Sequence, residues 1–357
     1  MIKYIEIENF RTIQKLSIDP ISRITLFSGK NNIGKSTILE ALFLMRAHLD
    51  SNVFYNLDMF RGVDLASGYG TEIWEPIFYN YELNNTVKIK TLTVENSEES
   101  LCFSKDTAYV PGVEKQIPPE TMSMFRAAAR QYYTLKFAYK NGDYEENGHY
   151  SIAQSGTLRQ MKTSLSDNEV LSPESTFFLN PLSTRNISTL VADQIGKFII
   201  SGDKDRIIKA LSYIQPDIED ILTLSVHGRV QIYIKTNKQT FPIQYAGDGM
   251  VKLLNIIVTI MSNQNSLVLI DEIDAGFHYS MYETLWRVIN EASLLSHCQV
   301  IATTHSYECI SKFRSGLRKN SEDATYIRLG HDQKGLKAFA YDYDVLTTAL
   351  NSEMEIR

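Results

Sequence analysis

Cysteine is scarce. Cys102, Cys298 and Cys309 are too few and too scattered among 357 residues for a disulfide framework or a paired-cysteine metal knuckle. That predicts a reducing, cytoplasmic setting in which the thiols serve as small buried apolar groups. Basic charge is also short: 36 Lys and Arg against 42 Asp and Glu leave a net charge of −6, so no global positive field draws the chain to nucleic acid or anionic lipid. No apolar run approaches the roughly 18 residues of a membrane-spanning helix. The opening MIKYIEIENFRT alternates like a strand and does not form a signal-peptide core, so the expectation is a soluble, unprocessed chain with no membrane partner. Heptads sustained over several periods, internal repeats and low-complexity linkers are missing as well, which excludes a long coiled coil.

What is present is ordinary globular content, 43% hydrophobic and 22% charged, in a chain long enough for a sizeable core. IKYIEIENF (2–10) and ITLFS (24–28) read as strands, and from Ser36 the spacing of Ile38, Leu39, Leu42, Phe43 and Met45 predicts a helix. Between 46 and 240 the strand-like runs are VKIKTLTV, LCFS, TLKFAYK, ILTLSV and VQIYIK, the last two meeting at a turn HGR. ENSEES and KNGDYEENGHY read as loops or hairpin tips, and ETMSMFRAAARQYY and ISTLVADQIGKFIISGDKDRIIKALSYIQ as helical. The last third alternates helix (GDGMVKLLNIIVTIMSNQ), strand (SLVLID), helix (YSMYETLWRVINEASLL) and strand (QVIATTH). Near-continuous apolar strands of this kind suit a parallel sheet covered on both faces. ATYIRL and LKAFAYD would close it as an edge hairpin.

Residues 29–36, Gly29, Lys30, Asn31, Asn32, Ile33, Gly34, Lys35 and Ser36, fit the phosphate-loop pattern of two glycines with four residues between them, followed by Lys and Ser. The strand before and helix after are the context that chemistry needs. Glycines let backbone N–H groups converge on phosphate oxygens, Lys35 reaches the β- and γ-phosphates, and the Ser36 hydroxyl is offered to Mg²⁺. SLVLIDE ends an apolar strand in Asp271, a candidate for the Mg²⁺ shell, and Glu272, a candidate to polarise the attacking water. QVIATTHS brings His305 toward the same edge, where an imidazole can bond the γ-phosphate or orient the water. YAGDGMVK (245–252) sets Gly247 and Gly249 around Asp248 before an apolar helix: a second anion-binding helix start, or a plain turn with Asp248 as N-cap.

In order, NFRT (9–12), GKNNIGKST (29–37), AGDGM (246–250), VLIDEIDAGFH (268–278) and ATTHS (302–306) resemble the N-terminal strand motif, Walker A, signature, Walker B with D-loop, and H-loop of the ABC-type ATPase superfamily, in its SMC-like and OLD-like branch. The resemblance covers residues 1 to about 312. It implies an α/β P-loop NTPase fold of ABC/SMC-like head type, a mixed sheet with an N-terminal antiparallel β part and a helical and β insertion. The organisation would be one domain, 1–357: strands and Walker A (1–45), insertion (46–240), signature to H-loop (241–312) and C-terminal strands and helix (313–357).

It further implies ATP and Mg²⁺ as cofactors. The nucleotide would be gripped by residues 29–36 with Thr37 and approached by Arg11. A homodimer or higher homo-oligomer is implied, with Gly247, Asp248 and Gly249 meeting the γ-phosphate held by the partner subunit and Asp274 and Ala275 bordering the interface. The signature departs from the transporter type, which leads with serine. A glutamine loop belongs in the middle region, with Gln154 among several candidates. The OLD-like nuclease module has no counterpart in 313–357, which holds DYDVL. The resulting expectation is a slow, stand-alone AAA-family Mg-ATPase that senses or regulates a separately encoded effector, a nuclease or toxin, in bacterial anti-phage defence. The alternative is a DNA-repair or recombination ATPase binding DNA through a basic surface at Lys88, Lys90, Lys204, Arg206 and Lys209. A transporter subunit is the weakest reading.

Overall fold

The computed structural model describes residues 1–50, 52–63, 74–106, 132–153, 158–163, 176–181, 189–226, 229–317, 323–333 and 335–351. Its contacts fall into two compact units that interleave along the chain, Met1–Ile21, Asn32–Pro173 and Gly330–Ala338 in the first and Ser22–Asn31, Glu174–Leu329 and Phe339–Arg357 in the second. The motif order alone predicts one domain with an insertion at 46–240. The strands of that segment divide between the units, five joining a sheet begun by the N-terminal strands.

That sheet, in the first unit, is antiparallel and seven-stranded in the order β2-β1-β4-β5-β6-β7-β8. Its strands are β1 Ile2–Phe10, β2 Ile13–Ile18, β4 Val87–Thr93, β5 Glu98–Asp106, β6 Tyr132–Asn141, β7 Tyr144–Ala153 and β8 Leu158–Thr163. Period-2 patterning is the cause: Ile5, Ile7, Ile89, Leu101 and Phe137 are fully buried. On the other face Glu6 and Glu8 pair with Lys15 and stand across from Lys90 and Lys88.

The polar stretch KNGDYEENGHY is a turn only at Gly142 and Asp143. From Tyr144 it is strand β7, whose Glu146 and Tyr150 are buried, so polar composition concealed a strand half-covered by its neighbours. Likewise ENSEES opens in a turn at Val94 and Glu95 and enters β5 at Glu98. Helix α1, Lys35–Ala47, is buried from Thr37 to Arg46, and α2 spans Val53–Phe60. Most of ETMSMFRAAARQYY, Gln154 and the HG of the HGR turn lie outside the described residues, while Tyr132 and Tyr133 open β6 and are not helical.

The second unit holds a six-stranded sheet in the order β16-β15-β3-β14-β13-β9. Its strands are β3 Ile24–Ser28, β9 Thr176–Leu179, β13 Leu267–Ile270, β14 Gln299–Thr303, β15 Ala324–Asp332 and β16 Gly335–Tyr341. From β15 to β9 every pairing is parallel. β3, β13 and β14 are buried at every position, as strands covered on both faces must be. The helices are α3 Thr189–Ser201, α4 Lys204–Ser212, α5 Asp248–Ser262, α6 Tyr282–Ser296, α7 Tyr307–Gly316 and α8 Tyr343–Asn351, with a small sheet of β10 Ile218–Val226, β11 Arg229–Thr236 and β12 Thr240–Pro242. Helix α5 is buried from Met250 to Ile260 and forms the middle of the core. Among the described residues no helix is long and apolar enough to cross a membrane.

Candidate functional site

Three parallel strands of the second unit bring three of the motifs to one edge. Thr303 is level with Phe27, and Ile270 with Ala302, so the chain leaves β3 into Gly29, β13 into Asp271 and β14 into Thr304 and His305 side by side. The carboxyl ends of parallel strands are where α/β sheets bind ligands. His305 is exposed there, just before Ser306, which caps α7 by accepting from Cys309 N at 3.1 Å.

The loop leaving β3 takes positive φ at Gly29 (140°), Asn32 (60°) and Gly34 (105°), a backbone course that turns successive N–H groups inward. At Gly34 glycine is needed twice over: its φ disfavours any side chain, and an added Cβ would meet Ile13 Cγ1 at 3.3 Å. Gly34 is the N-cap of α1 and no side chain caps that end, where the helix dipole is positive. Lys30, Asn31 and Asn32 are exposed; Ile33, Lys35 and Thr37 are buried, with Ser36 between them half-buried. Thr37 Oγ1 lies 3.4 Å from Thr12 Oγ1.

Within the first unit Arg11, itself at φ 51°, has its guanidinium against Glu40 of α1, Nε to Oε2 at 2.8 Å. Arg61 reaches the same carboxylate through Nε at 2.7 Å and Nη2 at 2.8 Å. Sequence reasoning assigned Arg11 to the nucleotide and missed Glu40, a single carboxylate in the apolar run ILEALFLM. Burial pushes the Asp58 carboxyl above its usual range, and the neighbouring Glu40 charge pushes it further.

The Asp271–Phe277 turn is tied down by residues that sequence reasoning passed over. Thr303 Oγ1 donates to Asp271 Oδ1 at 2.5 Å and accepts from Glu272 N at 2.9 Å. Thr304 Oγ1 donates to Asp274 Oδ1 at 2.5 Å. Glu272 is exposed and takes φ 47°, a conformation costing a non-glycine residue about 1–2 kcal/mol. Lys252 of α5, buried, donates through Nζ to Glu272 O at 2.7 Å and Ala275 O at 3.0 Å. Burial pulls its pKa down from the usual 10.5 to about 8, against the pull of Asp274 and Glu272.

Gly247, φ 92°, is the N-cap of α5, so Asp248 is the helix's first residue and not its cap. Gly249 packs so closely that an added Cβ would meet Gly276 O at 3.1 Å, which sets the signature on the D-loop. Tyr245 is 80% exposed and Tyr279 62%, leaving aromatic surface beside both.

Among the described residues no group of three or more His, Cys, Asp or Glu could hold a metal. Mg²⁺ in nucleotide sites takes most of its ligands from phosphate and water, and the carboxylate of Asp271 and the hydroxyl of Ser36 are each donors of the hard oxygen kind it takes. Of the basic residues named for DNA, Lys88 and Lys90 stand across from Glu8 and Glu6, Lys90 also reaches Glu98, Lys204 bonds Asp220 at 2.9 Å and Arg206 lies 3.7 Å from Asp203.

Two family models tile the chain: one described as "AAA ATPase domain" matches residues 1–147, and one described as "AAA domain, putative AbiEii toxin, Type IV TA system" matches residues 143–311. An "ATP/GTP phosphatase" of Helicobacter pylori is 26% identical over 334 residues, covering 87% of this chain and 86% of its relative. An uncharacterized protein of Methanocaldococcus jannaschii is 33% identical over 108 residues, 28% of this chain and 49% of that protein. Among solved structures, the Smc head domain with an extended coiled coil bound to the C-terminal domain of ScpA, from Pyrococcus furiosus, aligns at TM-score 0.50 and 10% identity over 99% of both chains.

Proposed function

We propose that this chain, an ATP hydrolase with AAA-type ATPase domains on an SMC-head-type P-loop fold, uses nucleotide to switch between open and paired homodimeric states and thereby governs a separately encoded effector in bacterial defence. The observation that carries this reading is the seating of half-buried Gly249 on the D-loop at Gly276, with Gly247 and Asp248 exposed beside it. A signature held there and left in solvent is suited to a γ-phosphate that another copy brings. The effector role and the defence setting draw support from the toxin–antitoxin wording of the model matching 143–311.

In the proposed site the loop from Gly29 to Thr37 wraps the phosphates with its N–H groups, and buried Lys35 offsets their charge. Ser36 and Asp271 would hold Mg²⁺, which supplies charge neutralisation when bound. Glu272 accepts a proton from water as it attacks the γ-phosphorus, releasing ADP and phosphate, and His305 bonds the γ-phosphate oxygens. Arg11, held against Glu40, would approach the nucleotide from that position. ATP shifts the equilibrium only by as much as it binds the paired state better than the open one, and hydrolysis resets it.

Glu272→Gln tests the assignment. Steady-state turnover should fall about 100-fold or more, and light scattering with ATP and Mg²⁺ should show the paired form accumulating. Turnover at the wild-type rate would remove Glu272 from the chemistry. Direct DNA binding finds little support in the charge pairing around Lys88, Lys90 and Lys204.

A further inference from the structure

Glu272 combines three properties that do not ordinarily occur together. Its side chain is exposed, its backbone stands at φ 47° where a side-chain-bearing residue is disfavoured, and both ends of its peptide are gripped by buried side chains from other elements. Thr303, fully buried on β14, takes the Glu272 N–H on its Oγ1 at 2.9 Å. Lys252, 3% exposed on α5, gives Nζ to the Glu272 carbonyl at 2.7 Å. That carbonyl already accepts from Ala275 N at 3.0 Å within the turn, so the lysine is not there to rescue an orphaned acceptor. A buried ammonium directed at a satisfied carbonyl fixes geometry. The same Thr303 hydroxyl donates its proton to Asp271 Oδ1 at 2.5 Å, which ties the orientation of the neighbouring carboxylate to the same grip. Lys252 also bonds Ala275 O at 3.0 Å, so it spans the turn from Glu272 to the D-loop.

We propose that Thr303 and Lys252 are positioning residues that act as a two-sided clamp on the Glu272 peptide, keeping its carboxylate aimed at the attacking water. The proposal rests on the assignment of Glu272 as the base. The clamp works through Glu272 alone: relaxed toward ordinary φ, the peptide would rotate and swing the carboxylate off its line, a misplacement to which turnover is sensitive while nucleotide grip is not. Lys252 also places the clamp on the helix that begins at Asp248, so displacement of the signature would be felt at Glu272.

The test uses the protein with ATP and Mg²⁺, the variant Glu272→Gln, and the variants Lys252→Met, Lys252→Arg, Thr303→Val and Thr303→Ser, each of these four alone and in the Glu272→Gln background. Lys252→Met and Thr303→Val should lower kcat by about 10- to 100-fold while affinity for a non-hydrolysable ATP analogue stays within about twofold. The Arg and Ser variants, which keep a donor and a hydroxyl, should recover part of the rate. In the Glu272→Gln background, single-turnover rates should show no further loss, because residues acting through one group are not additive. If Glu272→Gln is inactive but Lys252→Met and Thr303→Val turn over normally, the clamp is wrong and the base stands. If Glu272→Gln itself turns over normally, the base assignment fails first. Equal losses with and without the Glu272 carboxylate, or losses of affinity matching those of kcat, would make both residues merely structural and overturn the clamp.

Discussion

Buried charge is met differently in the two units. In the antiparallel unit ion meets ion: Glu40 lies between Arg11 and Arg61, and Arg46 Nη1 sits 3.0 Å from Glu99 Oε1. In the parallel unit buried Arg23 also meets side chains, Asn290, Ser293 and, at 3.7 Å, Asp323, but the buried ammonium of Lys252 meets two backbone carbonyls of one turn. An interior ion pair is close to self-cancelling, its attraction offsetting the desolvation of both members, and is replaceable as a set by apolar side chains. A lysine bonded to the main chain has no such substitute, because what it holds is the course of the backbone. The ion pairs of the first unit therefore bear on whether it stays folded, and Lys252 of the second on the shape of the Glu272–Ala275 turn.

The sharpest way to break this contrast is to remove the counter-charge in the first unit. Glu40→Gln leaves Arg11 buried without a full partner, and the urea-unfolding free energy should drop by about 3 kcal/mol. An unchanged midpoint would show that Arg11 is not neutralised by Glu40. A middle-sized effect is expected from pH on the second unit. Lys252 has a folded pKa of about 8, below its usual 10.5. Between those values the unfolded chain holds more protons, so this residue makes stability rise with pH through that window. Denaturation midpoints of wild type and Lys252→Met compared at pH 7.5, 9 and 10 should differ by an amount that shifts steadily in favour of wild type as pH rises; parallel curves would mean that the ammonium is not desolvated in the fold. The smallest effect belongs to Arg61→Ala. With its side chain 43% exposed and Arg11 still on Glu40, the loss should stay below about 1 kcal/mol. A loss equal to that of Glu40→Gln would make Arg61 the principal partner instead.

Much of the parallel sheet could be read directly, because β3, β13 and β14 are short apolar runs bounded by glycine or polar turns, and the phosphate loop has its own residue code. The antiparallel sheet was harder. Its strand β7 begins YEENGHY, and only pairing with β6 and β8 makes that stretch a strand, information that resides outside it. The same limit explains the missed residues. Lys252 in MVKLLNIIVTIM and Glu40 in ILEALFLM each interrupt an apolar helix, a visible sign that a buried charge needs a partner. Neither run says which partner, since Glu272 and Ala275 are 20 and 23 residues from Lys252 and Arg61 is 21 from Glu40. The two threonines before His305 were in view, but their hydroxyl bonds to Asp271 and Asp274 follow only from the adjacency of β13 and β14.

The contact between Gly249 and Gly276 has a temporal consequence. With a Cβ at Gly249 set to fall 3.1 Å from Gly276 O, and Lys252 fastened to Ala275 O one turn later, the helix start and the Glu272–Phe277 turn are tied at two places, so an opening of either one disturbs the other. Anything that frees the first from the body of the protein must also break the bond that holds the second.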